Sequence, residues 1–270
     1  MKIENRKGAK NRKEVPKEVK NLLNEGKIST VNLVEGLVID QEKLLENVLI
    51  DMGSEKYIIK CKKSIEDLNK KTYTKLTSTI GKSLLIELKE NNDTRTFKLL
   101  VNHESDTVRS WATNIIGFDD EKTTSEKFEC IKQFVSDSHF GVRENAWMAM
   151  RETISNNLED SINILSKWSK SKDLNLRRFA SESTRPRGVW TKHIKELKEN
   201  PELGLPILEP LKSDEEVYVQ NSVGNWLNDA SKSKTQWVKD ICEEWINESP
   251  TKETKQIIKR GLRTIKKNEK

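Results

Sequence analysis

The sequence predicts an all-α protein in which pairs of helices repeat along the chain. Apolar residues recur at helical spacing over most of the 270 residues, and no stretch alternates polar and apolar residues as a strand would. Glycine (11) and proline (6) are scarce, which disfavours a turn-rich β fold. A third observation is a short pattern that returns at nearly regular intervals in the second half of the chain.

The recurring pattern is an aliphatic residue, a polar residue next to it, and a small apolar residue four places on. Its copies are Val108–Ala112, Val142–Ala146, Leu176–Ala180 and Val219–Val223, with a weaker copy at Ile258–Leu262. The four strong copies start 34, 34 and 43 residues apart. Residues i and i+4 share one helix face, so each pair is expected to pack inward. Helix pairs of this period predict a HEAT-like helical repeat solenoid, whose concave face would hold an elongated ligand.

The individual helices follow from the same apolar spacing, taken in chain order. Before the copies, helices are predicted at 31–48 and 73–88, with 56–60 ambiguous. The second helix of each pair is predicted at 128–135, 161–168 and 235–246, and the apolar residues of 257–265 predict a last helix. The expected organisation is a basic segment (1–20), N-terminal helices (21–95) and repeats (96–270) within a single structural domain.

Charge is distributed unevenly around a net value of +6. Residues 1–20 hold eight Lys or Arg against three Glu, and residues 252–270 hold eight against two. Basic ends on an acidic middle suit contact with phosphates, although such runs are often only solvated tails. The three cysteines form no close pair, and the chain has no apolar leader or membrane-length run. We therefore expect a cytoplasmic protein with reduced thiols and no metal or other cofactor.

Carboxylates are the remaining candidates for chemistry, since no nucleophile–base triad, phosphate-binding glycine loop or metal-ligand spacing is present. Glu144, Glu182 and Asp229 lie on or just after three successive copies. Neighbouring solenoid helices lie side by side, so the three could converge on one wall. Each alone is more simply an ion-paired surface residue. Trp190 follows an Arg-Pro-Arg-Gly corner and is either a hydrophobic plug, the commoner case, or a platform that stacks on a base or sugar; its position after Pro186 and Gly188 favours exposure.

Arginine recurs beside the aliphatic position of the copies. The residues in question are Arg109, Arg143, Arg177 and Arg178. They could form a basic stripe, or each could pair with a neighbouring acid across the repeats, and the sequence leaves both interpretations open. Further candidates for phosphate binding, from the corner and from the two basic ends, are Arg185, Arg187, Lys259, Arg263, Lys10 and Arg12.

Three stretches resemble one known family. They are Phe179–Trp190, Asn200–Leu211 and Tyr218–Asp229. They are similar to signature segments of the AlkC branch of the HEAT-like DNA alkylation repair glycosylases, and residues 7–13 and 32–40 resemble that family's N-terminal region. The resemblance covers most of the chain and is weakest from 50 to 95. Glu182, Trp190 and Asp229 fall on the family's motifs, and Glu144 matches its Val-Arg-Glu element.

The resemblance implies a monofunctional DNA glycosylase that excises cationic N-alkylated purines, chiefly 3-methyladenine, from duplex DNA without flipping the base into a deep pocket. The carboxylates would stabilise an oxocarbenium-like sugar and position water. It implies no cofactor and no membrane partner; we expect a monomer in the cytoplasm, at the nucleoid when acting. Asn145 and Ser183 depart from residues common in similar sequences. A catalytically silent DNA binder and a protein-binding scaffold remain the alternatives.

Overall fold

A computed structural model describes residues 3–268, so the outermost residues of the two predicted basic ends, 1–2 and 269–270, lie outside the described residues. Between residues 3 and 268 the chain forms α-helices joined by short turns, and no β-strand. The all-α prediction is therefore confirmed. Within this range no helix is long and apolar enough to cross a membrane.

The α-helices, in chain order, are α1 (Lys17–Asn24), α2 (Leu33–Gly36), α3 (Gln41–Asp51), α4 (Ile58–Glu66), α5 (Tyr73–Glu90), α6 (Thr94–Val101), α7 (Asp106–Phe118), α8 (Thr124–Val135), α9 (Phe140–Ala149), α10 (Arg151–Asn156), α11 (Leu158–Trp168), α12 (Leu174–Ser183), α13 (Lys195–Glu199), α14 (Leu205–Leu208), α15 (Val217–Ser231), α16 (Thr235–Glu248), α17 (Lys252–Gly261) and α18 (Arg263–Asn268). Single 3-10 turns lie at Ile3–Asn5, Arg12–Glu14, Glu55–Tyr57, Pro201–Gly204 and Glu209–Leu211. The predicted helices at 73–88, 128–135, 161–168 and 235–246 are all present.

The predicted helix at 31–48 is two helices, α2 and α3. Asn32 accepts a hydrogen bond from the backbone N–H of Glu35 and so caps α2, and Asp40 accepts one from the N–H of Lys43 and caps α3. Side-chain caps at both starts satisfy backbone donors that a continuous helix would have used internally. The apolar spacing across the break conceals this turn, and for that reason the sequence suggested one helix.

The chain divides into two units. The first comprises Met1–Asp120 and Asp137–Ala149, and the second comprises Glu121–Ser136 and Met150–Lys270. In the first unit α7 packs on both α5 and α9. A Cβ on Gly81 would lie 2.8 Å from the carbonyl oxygen of Trp111, and one on Gly117 would lie 2.4 Å from that of Ala149. Bare backbone at these two positions is what lets the helices approach so closely.

In the second unit α15 packs between α12 and α17. Trp226 of α15 is fully buried, and Gly204 leaves room for its ring, since a Cβ there would lie 2.5 Å from it. On the other side of α12, the ring of Trp168 lies 5.5 Å from both Phe128 and Phe179, measured between ring centroids. These aromatic contacts fix α12 and α15, the two helices that carry Glu182 and Asp229.

The polar residue of each strong copy makes the same contact in the structure. Its side chain donates to the two backbone carbonyl oxygens six and five residues earlier, in the turn that precedes the helix. The four cases are Arg109 with His103 and Glu104, Arg143 with Asp137 and Ser138, Arg177 with Ser171 and Lys172, and Gln220 with Asp214 and Glu215. The repeat inferred from sequence is thus a repeat in hydrogen bonding too.

Candidate active site

Arg185 lies between two buried carboxylates in the second unit. Its Nη1 donates to Oε1 of Glu182 at 2.7 Å. Its Nε and Nη2 lie 2.9 Å and 2.7 Å from Oδ2 of Asp229. Glu182 and Asp229 are only 5% and 3% exposed. The structure therefore brings two of the three predicted carboxylates together, and it does so through a guanidinium that the sequence analysis assigned to phosphate binding.

Local sequence explains this arrangement. Glu182 occupies the last turn of α12, which ends at Ser183, and Pro186 prevents the helix from continuing because it lacks an N–H and disfavours helical geometry at Arg185. The backbone N–H of Arg185 still bonds to the carbonyl of Glu182 at 3.3 Å. The turn therefore directs the guanidinium back along α12 towards Glu182 and across to Asp229 near the end of α15.

Glu182 and Arg185 are held in their charged forms although both are buried. Burial acts to raise the pKa of Glu182, but the charges of Arg178 and Arg185 and the hydrogen bonds from Arg185 and Ser222 outweigh it, so that pKa is lowered from 4.5. For Arg185 burial acts to lower the pKa, and the charges of Glu182 and Asp229 outweigh it, so that pKa is raised. Glu182 is therefore held as a carboxylate in a fixed orientation beside the charged Arg185.

The two carboxylates differ in how firmly their remaining oxygens are held. Oε2 of Glu182 accepts a hydrogen bond from the buried hydroxyl of Ser222 at 2.8 Å, and Nη2 of Arg178 lies 3.7 Å from it. Oδ1 of Asp229 accepts from Nζ of Lys232 at 3.1 Å, on a side chain that is 39% exposed. Glu182 is thus enclosed by protein donors, whereas the Oδ1 side of Asp229 leads towards solvent.

Arg151 holds the loop that follows α12. Its Nη1 donates to the carbonyl of Ser183 at 2.6 Å, its Nη2 to that of Arg185 at 2.5 Å, and its Nε to that of Lys192 at 3.1 Å. The side chain is buried and these three acceptors are neutral; burial, with the charge of Arg185, lowers its pKa to about 10. A Cβ on Gly188 would lie 2.2 Å from the hydroxyl of Thr191, so this loop needs glycine there.

Trp190 projects from the same loop into solvent. It is 64% exposed, as the sequence analysis expected. Its backbone has φ +61°, a conformation that costs a non-glycine residue free energy. A large apolar ring held outward in a strained conformation gains nothing from core packing, so its position suits contact with a ligand.

Glu144 belongs to the first unit. It lies on α9, half-buried, and its Oε2 accepts a hydrogen bond from the indole Nε1 of Trp147 at 2.7 Å. The neighbouring Asn145 is buried and donates to the carbonyl of Gly141 at 2.9 Å. Ser183, the other departure from the family pattern, is fully buried at the end of α12 in the second unit.

The repeat arginines bind protein acceptors. Arg109 makes a two-pronged ion pair with Asp137 (Nε–Oδ2 2.8 Å, Nη2–Oδ1 3.1 Å), and Arg177 makes the same pair with Asp214 (2.6 and 3.1 Å). Each Asp also accepts the backbone N–H two residues on, as in an Asx turn. Phosphate binding by these arginines stays a prediction, and their contacts favour the ion-pair alternative.

The other basic candidates have fewer protein partners. Arg178 stacks over the ring of Tyr218 at 4.7 Å. Arg187 donates to the hydroxyl of Ser233 at 2.8 Å, and Arg263 donates to Oδ1 of Asn225 at 2.9 Å. The three remaining candidates, all exposed, are Lys10, Arg12 and Lys259. Phosphate binding by all of them remains a prediction.

Sequence reasoning missed Arg151, Ser222 and Lys232 as parts of the site. Ser222 and Lys232 could have been predicted from the position of Asp229 on its helix. Ser222 lies seven residues before it and Lys232 three residues after it, and both spacings share one helix face. Nothing in the sequence marks Arg151, since its three acceptors are main-chain carbonyls 32 to 41 residues away. Within the described residues no group of three or more His, Cys, Asp or Glu could hold a metal ion.

The fold and site define a helical-repeat protein with a buried carboxylate–arginine cluster beside an exposed tryptophan loop. Residues 145–265 match the family model described as DNA alkylation repair enzyme. That match covers 121 of the 270 residues. The chain is also 39% identical over 139 residues to the uncharacterized protein YhaZ of Bacillus subtilis (strain 168), a match that spans 52% of this chain and 38% of YhaZ.

Solved structures have the same fold. The Pseudomonas fluorescens alkylpurine DNA glycosylase AlkC, bound to DNA containing an abasic site analog, matches with TM-score 0.68 and 22% identity. That match covers 96% of this chain and 65% of the AlkC chain. AlkD2 from Streptococcus mutans matches with TM-score 0.57 and 25% identity over 77% of this chain and 97% of its own. The helical-repeat architecture predicted from the sequence is thereby confirmed.

Proposed function

We propose that this protein is a monofunctional DNA glycosylase that hydrolyses the N-glycosidic bond of cationic N-alkylated purines, chiefly 3-methyladenine. The observation that carries the proposal is the pair of buried acidic side chains, Glu182 and Asp229, fixed by Arg185 next to the Trp190 loop. Such a cluster has a high cost of burial, which a purely structural role could have avoided with apolar residues.

The reaction needs little more than fixed negative charge and a water molecule. Alkylation at N3 leaves the purine positively charged, so when the bond from C1′ to the base breaks, the electron pair neutralises the base and no acid is required. Positive charge then develops on the sugar, and a preorganised carboxylate stabilises it. Water adds to C1′ and loses a proton to a carboxylate or to solvent, which leaves an abasic site and the free neutral base.

Asp229 is the carboxylate that we assign to the sugar and the water. Its Oδ2 is occupied by Arg185, and its Oδ1 accepts from the half-exposed Lys232, a partner that can move aside. Glu182 is enclosed by Arg185 and Ser222 and therefore acts by orienting Arg185. Glu144 keeps its assignment from the sequence as a catalytic carboxylate, and a Glu144→Gln variant would test it by base release.

Trp190 would contact the damaged nucleotide from outside the cluster. An exposed indole can stack on a base or pack on a sugar, and such stacking is worth about 1–3 kcal/mol for each base. Because the ring stands outward on a loop, this mode of recognition does not need a deep pocket for a flipped base. The partner in this proposal is duplex DNA with alkylated bases, bound by a monomer in the cytoplasm at the nucleoid.

One observation favours a catalytically silent DNA-binding protein instead. Each carboxylate oxygen of Glu182 and Asp229 already has a protein donor within 3.1 Å, so both residues could serve the fold alone. In that case the cluster would only fix the ends of α12 and α15 beneath a DNA-binding surface.

A base-release assay separates the two functions. Duplex DNA methylated with dimethyl sulfate would be incubated with wild type, Glu182→Gln and Asp229→Asn, and released 3-methyladenine would be quantified. We expect release by wild type and a loss of about 100-fold or more for Asp229→Asn, since one preorganised charge contributes roughly that factor. No release by wild type, with intact DNA binding, would favour the silent protein. Full activity in both variants would refute the site assignment.

A further inference from the structure

Two arginines in the second unit share a single neutral acceptor. Oδ1 of Asn225 accepts hydrogen bonds from Nη1 of Arg263 at 2.9 Å and from Nη1 of Arg260 at 3.4 Å. An amide oxygen carries no formal charge, so it holds the two guanidinium groups together without neutralising them. Neither arginine makes an ion pair with any of residues 3–268, in contrast to Arg109 and Arg177.

The position of Arg260 is built into the packing of α15 on α17. A Cβ on Gly224 would lie 2.8 to 2.9 Å from the Cβ, Cγ and Cδ atoms of Arg260. The arginine stem therefore lies directly on the backbone of α15, next to Asn225. Gly261 makes the matching approach, because a Cβ there would lie 2.9 Å from the Cβ of Leu227.

The position of Arg263 is fixed by the next turn of α15. Oδ1 of Asn228 accepts from the backbone N–H of Thr264 at 3.2 Å and from its hydroxyl at 2.8 Å. Arg263 is the residue just before Thr264 and begins α18, so this contact holds its backbone against α15. The two arginines thus converge because Asn225 and Asn228 lie one turn apart on the same helix.

The arginine pair lies close to the carboxylate cluster. Asn225 and Asp229 are four residues apart on α15, a spacing that places side chains about 6 Å apart on one face. Burial and the charge of Arg260 lower the pKa of the Arg263 guanidinium, and the charge of Asp229 opposes them. Two adjacent cations that share a neutral acceptor would be stabilised by a bound anion.

We propose that Arg260, Arg263 and Asn225 form a subsite for one phosphodiester group of the DNA backbone, one helical turn from Asp229. This inference rests on the proposed function, because it takes DNA as the ligand. Two guanidinium groups can donate to both non-bridging oxygens of one phosphate, which fixes its orientation as well as its distance. A phosphate held there sets the register of the strand and so positions a nearby sugar relative to Asp229.

A methylphosphonate scan tests the subsite. Each phosphate near a tetrahydrofuran abasic analogue in a duplex would be replaced in turn by an uncharged methylphosphonate, and binding measured for wild type and for Arg263→Gln and Arg260→Gln/Arg263→Gln. We expect one phosphate at which the methylphosphonate weakens binding by wild type but not by the double variant. The uncharged phosphate and the loss of both arginines remove the same contact, so their effects do not add. The slope of log affinity against log salt should fall in magnitude by about 1.

Controls keep the outcome clear. Lys255→Gln removes the same charge from an exposed position of α17 and should leave the scan and the wild-type salt slope nearly unchanged. Arg263 is exposed, so its variant should fold like wild type, which a thermal melt would check. If neutralising each phosphate weakens binding by the double variant as much as by wild type, the subsite is wrong. It is also wrong if the double variant binds inorganic phosphate more weakly than wild type does but binds DNA equally well. Absence of base release with an intact scan would instead refute only the glycosylase.

Discussion

Nη1 of Arg185 lies 2.7 Å from Oε1 of Glu182, although α12 ends between these two residues. The same guanidinium reaches Asp229, 44 residues further along the chain. One cation therefore fixes two acids that the repeat pattern alone could place only on adjacent helices. The predictions below test what this cluster, its loop and the repeat contacts contribute.

Arg185→Gln should destabilise the protein by about 3 kcal/mol. The change leaves Glu182 and Asp229 buried with weaker partners, and an uncompensated buried charge is costly. Urea denaturation at neutral pH would measure the free energy of unfolding. Arg187→Gln is the matched control in the same corner, since it removes a hydrogen bond to the hydroxyl of Ser233 and should cost less than about 1 kcal/mol. Equal losses in both variants would contradict a special role for Arg185.

The contribution of Glu182 to stability should depend on pH. Its pKa is lowered in the folded state from 4.5, so the folded protein binds the proton less readily than the unfolded chain does. The ion-pair contribution is therefore fully present above about pH 4.5 and is lost as pH falls through the lower folded pKa. Glu182→Gln should be less stable than wild type at neutral pH, and the gap should narrow below 4.5. A gap that widens on acidification would have the wrong sign.

Replacing Trp190 and replacing Trp226 should have opposite effects on stability. Trp190→Gly removes an exposed ring and relieves a positive φ, so stability should stay equal or rise by about 1 kcal/mol, while release of 3-methyladenine falls. Trp226→Ala empties a fully buried site and should cost about 3–5 kcal/mol. Thermal melts and base release on the same samples would decide. If the Trp190→Gly variant releases 3-methyladenine as wild type does, the indole is not part of the proposed site.

Arg177→Gln should separate the two contacts that this side chain makes. Glutamine occupies the equivalent position in the next copy, where Gln220 donates to the corresponding two backbone carbonyls, six and five residues earlier. The variant can therefore keep those bonds and lose only the ion pair with Asp214, at a cost of about 2 kcal/mol. DNA affinity, measured by fluorescence anisotropy, should change little. A loss of affinity without a loss of stability would instead support the basic stripe.

Gly188→Ala should disturb the loop that Arg151 holds. The added Cβ would lie 2.2 Å from the Thr191 hydroxyl and 3.2 Å from Nη2 of Arg151, so loop and guanidinium must move. We expect faster limited proteolysis near Trp190 and lower base release. Gly36→Ala serves as the control, because its Cβ would meet nothing nearer than 3.9 Å and alanine suits a helix. Identical proteolysis of the Gly188 variant and wild type would show that the loop tolerates the change.

Much of this architecture follows from local sequence. Helix periodicity depends on residues three and four apart, so α5, α8, α11 and α16 could be predicted from the chain alone. The recurring pattern likewise placed Glu182 and Asp229 on helices of successive copies. The break between α2 and α3 was missed because capping by Asn32 and Asp40 interrupts the backbone without interrupting the apolar spacing.

The tertiary structure alone decided what the arginines do. By sequence Arg109, Arg177 and Arg185 are all candidates for phosphate binding, yet the first two bind nearby backbone carbonyls and an aspartate, and the third bridges two buried acids. A guanidinium is long and has five donors, so its role depends on which acceptors the fold brings within about 3 Å. The three aspartate acceptors lie 28 to 44 residues away in the chain, beyond the reach of any local pattern. Sequence determined the helices and the acids; packing determined their partners.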